Sequence, residues 1–463
     1  MKGKKILVFA LLMLLALPLA LAGCDDKSGA DNQGGNAFTA TTTRPESFND
    51  GQETPTIYKL NFTDGTQKLI CISGRPSWPG GAPGEGFDAS ISTSLDDNGG
   101  CDGLVWSEYE NFFGPNATRD EYMRPAGAEY YDAVVAGSSL TQIKDENGNF
   151  IDKWMMTYHD DRQFYVMKTY LTFNEEGQME WTEPVRLLGQ NDEYRNYERV
   201  RQFCEVEILR SPDGKELAAL FRANAKKSLS YVSFSTDEGE TWSEPKTVAA
   251  ELTGERHKAE YDPVTGKLTI TFRSIYYNGK PSDGNWYSKG WLAWVGDYED
   301  LKAGSEGKGD MLIKLAHTYG SATEASEEAN ADTGYAGLVI YDDGLVVTCS
   351  YGTFSPANDP THGNQTYIVA KRFSLADLLE KFEGTYFVDI SPSSESNDSS
   401  EIYSEFVVAD KSTTDLTYIA HPDSVLLDNG NIITAFSLGH GTGGTQMAIS
   451  IDKGKTWSPL FMD

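Results

Sequence analysis

The sequence predicts an all-β chain folded as a six-bladed β-propeller over residues 53–463. Three observations predict it. The string Ser-x-Asp-x-Gly-x-Thr-Trp occurs twice, from Ser235 to Trp242 and from Ser450 to Trp457. A second pattern, an apolar run, a short Asp/Asn/Gly turn and another apolar run, recurs in six units near 54–113, 134–190, 203–248, 255–300, 332–378 and 418–463. The composition, with 24 Tyr, 21 Phe, 9 Trp and 45 Gly, suits short pleated strands joined by tight turns.

Each element follows from local chemistry. In the repeated string Asp and Gly supply a hairpin turn, and the Trp is placed to pack between neighbouring sheets. Two worn copies run from Asn174 through Gly177 to Trp181, and from Ser94 through Asp96 and Gly99 to Trp106. The strand–turn–strand pattern is clearest around Pro212-Asp213-Gly214, Thr265-Gly266, Asp342-Asp343-Gly344 and Asp428-Asn429-Gly430. The runs around Ile57 and Leu69 and around Leu140 and Trp154 fit the same mould. Four-stranded sheets repeated about an axis form a propeller. Residues 302–330, with a short helix expected, and the Ser- and acid-rich 386–410 read as surface loops between blades.

The N-terminus predicts the destination. Lys2, Lys4 and Lys5 precede an apolar stretch from Ile6 to Ala22, the pattern of a secretory signal. The string Leu21-Ala22-Gly23-Cys24 resembles a bacterial lipobox, which implies removal of residues 1–23 and lipidation of Cys24. Residues 24–52, rich in Asp, Asn, Gly, Ser and Thr, read as a flexible tether. The expectation is an extracytoplasmic monomer that meets the membrane only through its lipid. A formal charge of −30 argues against nucleic acid and an anionic membrane face as partners. Cys71, Cys101, Cys204 and Cys349 show no metal-ligand spacing, so buried thiols are expected, with a Cys71–Cys101 bridge the alternative. No cofactor and no metal are expected.

A propeller's first strands line its axis, so their leading ends and the far ends of the second strands meet at one rim. Reading those points blade by blade brings together Thr54 with Arg75, Ser138 or Ser139 with His159, Asp160 and Asp161, and Glu205 with Arg222. It adds Arg256 and His257 with Arg273, Tyr335 with Tyr351, and His421 with His440. So many polar groups at one mouth of an apolar scaffold mark a binding or catalytic site.

The repeated string resembles the Asp-box of the sialidase superfamily, whose fold is also six-bladed. Phe203-Cys204-Glu205 through Phe221-Arg222 resembles the segment holding that family's catalytic glutamate and one carboxylate-binding arginine. Thr333-Gly334-Tyr335-Ala336-Gly337 resembles the segment of its nucleophilic tyrosine, and Arg273 fits a second arginine, with Arg256 the competitor. The strings Tyr158-His159-Asp160-Asp161, Gly254-Glu255-Arg256-His257 and Gly439-His440-Gly441 resemble a bacterial branch of sialidase-like lipoproteins. The resemblance implies retaining exo-hydrolysis of terminal, chiefly acidic sugars. Tyr335 is then the nucleophile, Glu205 its base, and Arg222 and Arg273 the substrate clamp, with Arg256, His257, His159, His421 and Arg75 around the sugar. Two departures stand out. His421-Pro422 occupies the place of the family's first arginine, and His440 that of its aspartic acid, leaving His440, Asp160 or Asp161 to donate the proton. That blade lies last in the chain, so the blade order reads as permuted. The alternatives are a glycan-binding lipoprotein serving carbohydrate uptake and a purely structural propeller.

Overall fold

The computed structural model describes residues 42–462 except 51–52, 77–84, 114–132, 162–163, 190–197, 199–200, 225–227, 278–279, 282–289, 320–332, 392–401, 415–416 and 441–442. The expected leader, Cys24 and most of the tether lie outside the described residues. Phe38–Asp463 forms one compact unit.

Six sheets follow one another along the chain. Blade 1 holds Glu53–Asn61, Gln67–Gly74, Phe87–Ser94 and Glu110–Phe112. Blade 2 holds Ser139–Lys144, Phe150–His159 and Val166–Phe173, with Met179–Trp181 and Val185–Arg186 sharing its outer edge. Blade 3 is Phe203–Arg210, Leu217–Ala223, Tyr231–Ser235 and Lys246–Thr247. Blade 4 is Gly254–Tyr261, Leu268–Ser274, Gly290–Gly296 and Met311–Ala316. Blade 5 is Thr333–Ile340, Leu345–Gly352, Tyr367–Ser374 and Tyr403–Ala409. Blade 6 is Ile419–Leu426, Ile432–Leu438, Thr445–Ser450 and Ser458–Pro459.

The core lies between blades rather than at the axis. Trp154 and Met156 pack on Ile70 and Phe87 between blades 1 and 2. Leu220 and Val232 meet Ile270 and Phe272 between blades 3 and 4, and Ile57 and Leu69 meet Ile433 and Met447 where blade 6 returns to blade 1. Each sheet therefore has two buried faces, which is why many strands read as continuous apolar runs. The backbone N–H of Ile57 donates to Asp423 Oδ2 across the closing seam at 3.2 Å. On the outside, Thr42–Thr43 pairs in parallel with Phe461–Met462.

The two Ser-x-Asp-x-Gly-x-Thr-Trp strings form the same turn. Asp237 Oδ1 accepts from the Thr241 N–H at 2.8 Å, and Asp452 Oδ1 from the Thr456 N–H at 2.9 Å. Ser235 and Ser450 accept the N–H of Gly239 and Gly454 at 2.9 and 2.8 Å. The indoles of Trp242 and Trp457 donate to the carbonyls of those two glycines. Glu238 with Gly239 and Lys453 with Gly454 carry positive φ at 57° and 83°, and at 60° and 82°. Glycine is needed there because the neighbouring residue already bears one left-handed penalty.

Two expectations need correction. Residues 302–330 and 386–410 contribute strands as well as connections: Met311–Ala316 ends blade 4 and Tyr403–Ala409 ends blade 5. Phe387–Asp389 extends blade 4 further by pairing in parallel with Leu312–Lys314. These edge segments sit among polar, Gly- or Ser-rich flanks, so their short apolar runs are diluted in the sequence. The expected helix begins slightly earlier, at Tyr298–Ala303, started by the Asp297/Asp300 capping box. All four described cysteines are buried free thiols; no Cys71–Cys101 bridge forms.

Candidate active site

One backbone irregularity builds the site. In five of the six inner strands, two residues stand opposite one on the partner strand. The doubled pairs are Thr54-Pro55, Glu205-Val206, Arg256-His257, Tyr335-Ala336 and His421-Pro422. The first residue of each pair is left-handed, with φ of 45°, 44°, 49°, 49° and 55° in that order. Left-handed backbone costs a non-glycine residue about 1–3 kcal/mol. A bulge re-aims a side chain that regular pleating would send elsewhere. Repeating it around the ring gathers five different side chains at one level of the axis, and strain of this kind concentrates at functional sites.

The cavity above that level holds about 310 Å³. Its wall includes Glu205, Arg222, Arg273, Tyr335, His421 and His440, together with His159 and Asp161. The Tyr335 hydroxyl donates to Glu205 Oε1. The other Glu205 oxygen takes Arg222 Nη1 at 2.6 Å. Arg222 Nη2 reaches Glu255 Oε1 at 3.1 Å, and the second Glu255 oxygen pairs with Arg273. Arg222 also donates to Asn224 Oδ1 at 2.9 Å. Tyr335, Glu205, Arg222, Glu255 and Arg273 thus form one unbroken polar chain across three blades. Below it the Arg256 guanidinium lies 5.6 Å from the centre of the Tyr335 ring.

The protonation states follow from this arrangement. Burial alone would raise the Glu205 carboxyl, but Arg222, with His159 and Arg256, overrides it and brings the carboxyl down to about 2. Tyr335 is pushed well above its ordinary 10 by burial first and by the Glu205 charge second. The resting pair is therefore a neutral phenol donating to a carboxylate. His159 is held down to about 4 by burial and is neutral at pH 7; its Nδ1 accepts the Glu205 N–H at 3.4 Å.

Four candidates do not reach the cavity wall, the first being Arg256, which lies against the Tyr335 ring. His257 follows the bulged Arg256, so it turns the other way, packs on Phe272 and bonds the Leu252 carbonyl at 3.0 Å. Asp160 is fully buried and accepts the Ala133 N–H, which leaves Asp161 as the member of that pair on the wall. Arg75 is held by its own blade, through Asp88 at 2.6 Å and Glu85 at 3.6 Å. Conversely, the sequence reading assigned no role to Glu53, Asn224 or Glu255. Glu255 lies beside Arg256 in the sequence, and a buried acid between two strand-end arginines was the available signal.

A larger hollow of about 710 Å³ opens at the other end of the inner strands. Two of its polar groups are held by neighbours: the Tyr58 hydroxyl by the Gly137 carbonyl at 2.6 Å, and Lys258 by Asp423 at 3.0 Å.

No protein-family model matches the chain, and no curated protein matches it. Solved structures with a similar chain course include the α-L-arabinofuranosidase Arb93A from Fusarium graminearum, at 10% identity over 90% of this chain and 98% of that one, TM-score 0.49. They also include the Hadza microbial sialidase Hz136, at 12% identity over 88% of this chain and 66% of that one, TM-score 0.42. An ulvan lyase bound to its sugar fragment aligns at 10% identity over 89% and 84%, TM-score 0.37. The similarity lies in the course of the chain, and the chemistry has to come from this chain's own residues.

Proposed function

We propose that this chain is a lipid-anchored, extracytoplasmic exo-glycosidase that works with retention and uses Tyr335 as its nucleophile. The observation that carries the reading is the Tyr335 hydroxyl donating to the buried Glu205 carboxylate. A phenol is a weak nucleophile until a base takes its proton, and Glu205 is seated to take it as the oxygen attacks the anomeric carbon. A neutral attacking group suits an anionic sugar, which would repel the carboxylate nucleophile of most retaining glycosidases. Asp161, on the cavity wall, is the acid that would protonate the departing oxygen. A cavity of about 310 Å³ suits one terminal sugar better than a run of them.

A second reading concerns the substrate. Arg222 and Arg273 are already balanced by Glu205 and Glu255, so the pocket is not a strong anion trap. That balance favours testing neutral sugars alongside acidic ones. The decisive assay is release of a fluorescent aglycone from an α-sialoside and from a panel of neutral glycosides, arabinofuranosides included. Tyr335→Phe should lower turnover by about 10³-fold or more. Undiminished turnover in that variant overturns the mechanism. Saturable sugar binding with no turnover in the wild type replaces it with a glycan-binding role.

A further inference from the structure

We propose that Glu53, His421 and His440 bind one divalent transition-metal ion, zinc by preference, in the wall of the same cavity. The three come from opposite ends of the chain and meet only because blade 6 closes onto blade 1. One ligand-capable atom from each lies within 4.8 Å of those of the other two. The Glu53 carboxylate stands between the imidazoles, with His421 Nδ1 3.6 Å from one oxygen and His440 Nδ1 3.6 Å from the other. Both separations exceed the 2.7–3.2 Å of an ordinary N–H···O hydrogen bond, so neither is a simple His–Glu hydrogen bond.

The surroundings suit a ligand set. Ser437 donates its hydroxyl proton to the Ala420 carbonyl at 3.1 Å, and its oxygen lies 3.0 Å from His421 Nδ1. That contact holds the His421 ring in one orientation, and a neighbour of this kind commonly fixes a metal-binding histidine. Two imidazoles and one carboxylate select zinc, and in a titration cobalt or nickel, over calcium and magnesium. Three protein ligands leave a coordination position open, and all three residues line the cavity with Tyr335 and Tyr351. The His421 ring centre lies 4.7 Å from that of Tyr335, so an ion here would face any molecule beside that tyrosine. It would also pin the first blade to the last.

The inference stands apart from the glycosidase reading, and its test does not use turnover. The untagged full chain is stripped with a chelator, then titrated with Zn²⁺ alone and with Co²⁺ alone. The expected results are one equivalent bound, visible d–d absorption from bound Co²⁺, and a rise in melting temperature with Zn²⁺. His440 is half exposed, so His440→Ala should fold; it should weaken binding at least about 10-fold and abolish the Co²⁺ absorption. Glu53→Gln should do the same, while Tyr335→Phe should bind as the wild type does. Wild-type protein that takes up no stoichiometric metal, or a His440→Ala variant that binds equally well, overturns the proposal.

Discussion

Replacing Glu255 by glutamine should destabilise the chain by about 3 kcal/mol. Glu255 is 1% exposed, and its two oxygens serve two guanidiniums: Arg222 Nη2 at 3.1 Å and Arg273 Nη2. Removing one partner of a buried ion pair costs about 3–5 kcal/mol, mostly because a charge is left without compensation. Arg222 keeps Glu205 at 2.6 Å and Asn224 at 2.9 Å, so the lower end of the range applies. The assay is denaturant unfolding at pH 7, followed by tryptophan fluorescence and compared at the midpoint. A second variant isolates the cause: adding Arg273→Met to Glu255→Gln should recover at least half of the loss, because an apolar replacement removes a guanidinium that Glu255 no longer balances. A Glu255→Gln change within about 0.5 kcal/mol of wild type would refute the reasoning. So would a double variant no better than the single one.

Three further outcomes follow from the same geometry. Asp237→Ala removes hydrogen bonds to the Thr241 N–H, the Thr241 hydroxyl and Ser235, and should cost about 2–3 kcal/mol; Asp452→Ala should cost nearly the same in parallel unfolding curves, since its network matches. His257 is held down to about 4 by burial against its ordinary 6.5, so the unfolded chain takes up the proton first. Its stabilising effect is whole above pH 6.5 and is lost as pH falls towards 4. Glu207, raised to about 7 by burial, works in the opposite sense, favouring the fold below pH 4.5 and losing that effect as pH rises through 7. The comparison is therefore between proteins: from pH 7 to 5, His257→Phe should lose about 2 kcal/mol less stability than wild type, and equal losses would show that His257 does not titrate on unfolding. Finally, peptide mapping after a thiol reagent should find Cys71, Cys101, Cys204 and Cys349 labelled only once the chain is unfolded; a Cys71–Cys101 disulfide peptide would contradict the buried thiols.

The rim rule, strand starts and strand ends, brings Glu205, Arg222, Arg273, Tyr335, His421 and His440 to one cavity because it depends only on strand order. It failed for His257 because a bulge reverses the alternation of the residue that follows, and the sequence carries no mark of the bulge. It failed for Arg75 because the nearest acids, Asp88 on the next strand of the same blade and Glu85 just before that strand, hold it.

What the sequence by itself determined was whatever is written within a few tens of residues. Blade number follows from repeated strand–turn–strand patterns, and the two Asp-centred turns close within eight residues, so their hydrogen bonds are implied by spacing alone. Tertiary structure alone decided which side chains meet. The Tyr335–Glu205 bond joins residues 130 apart. The group of Glu53, His421 and His440 exists only after the ring has closed. The physical reason is that blades interact through packed faces and a shared axis. How six twisted sheets and five left-handed bulges point their side chains at that axis is a property of the closed ring, not of any segment read alone.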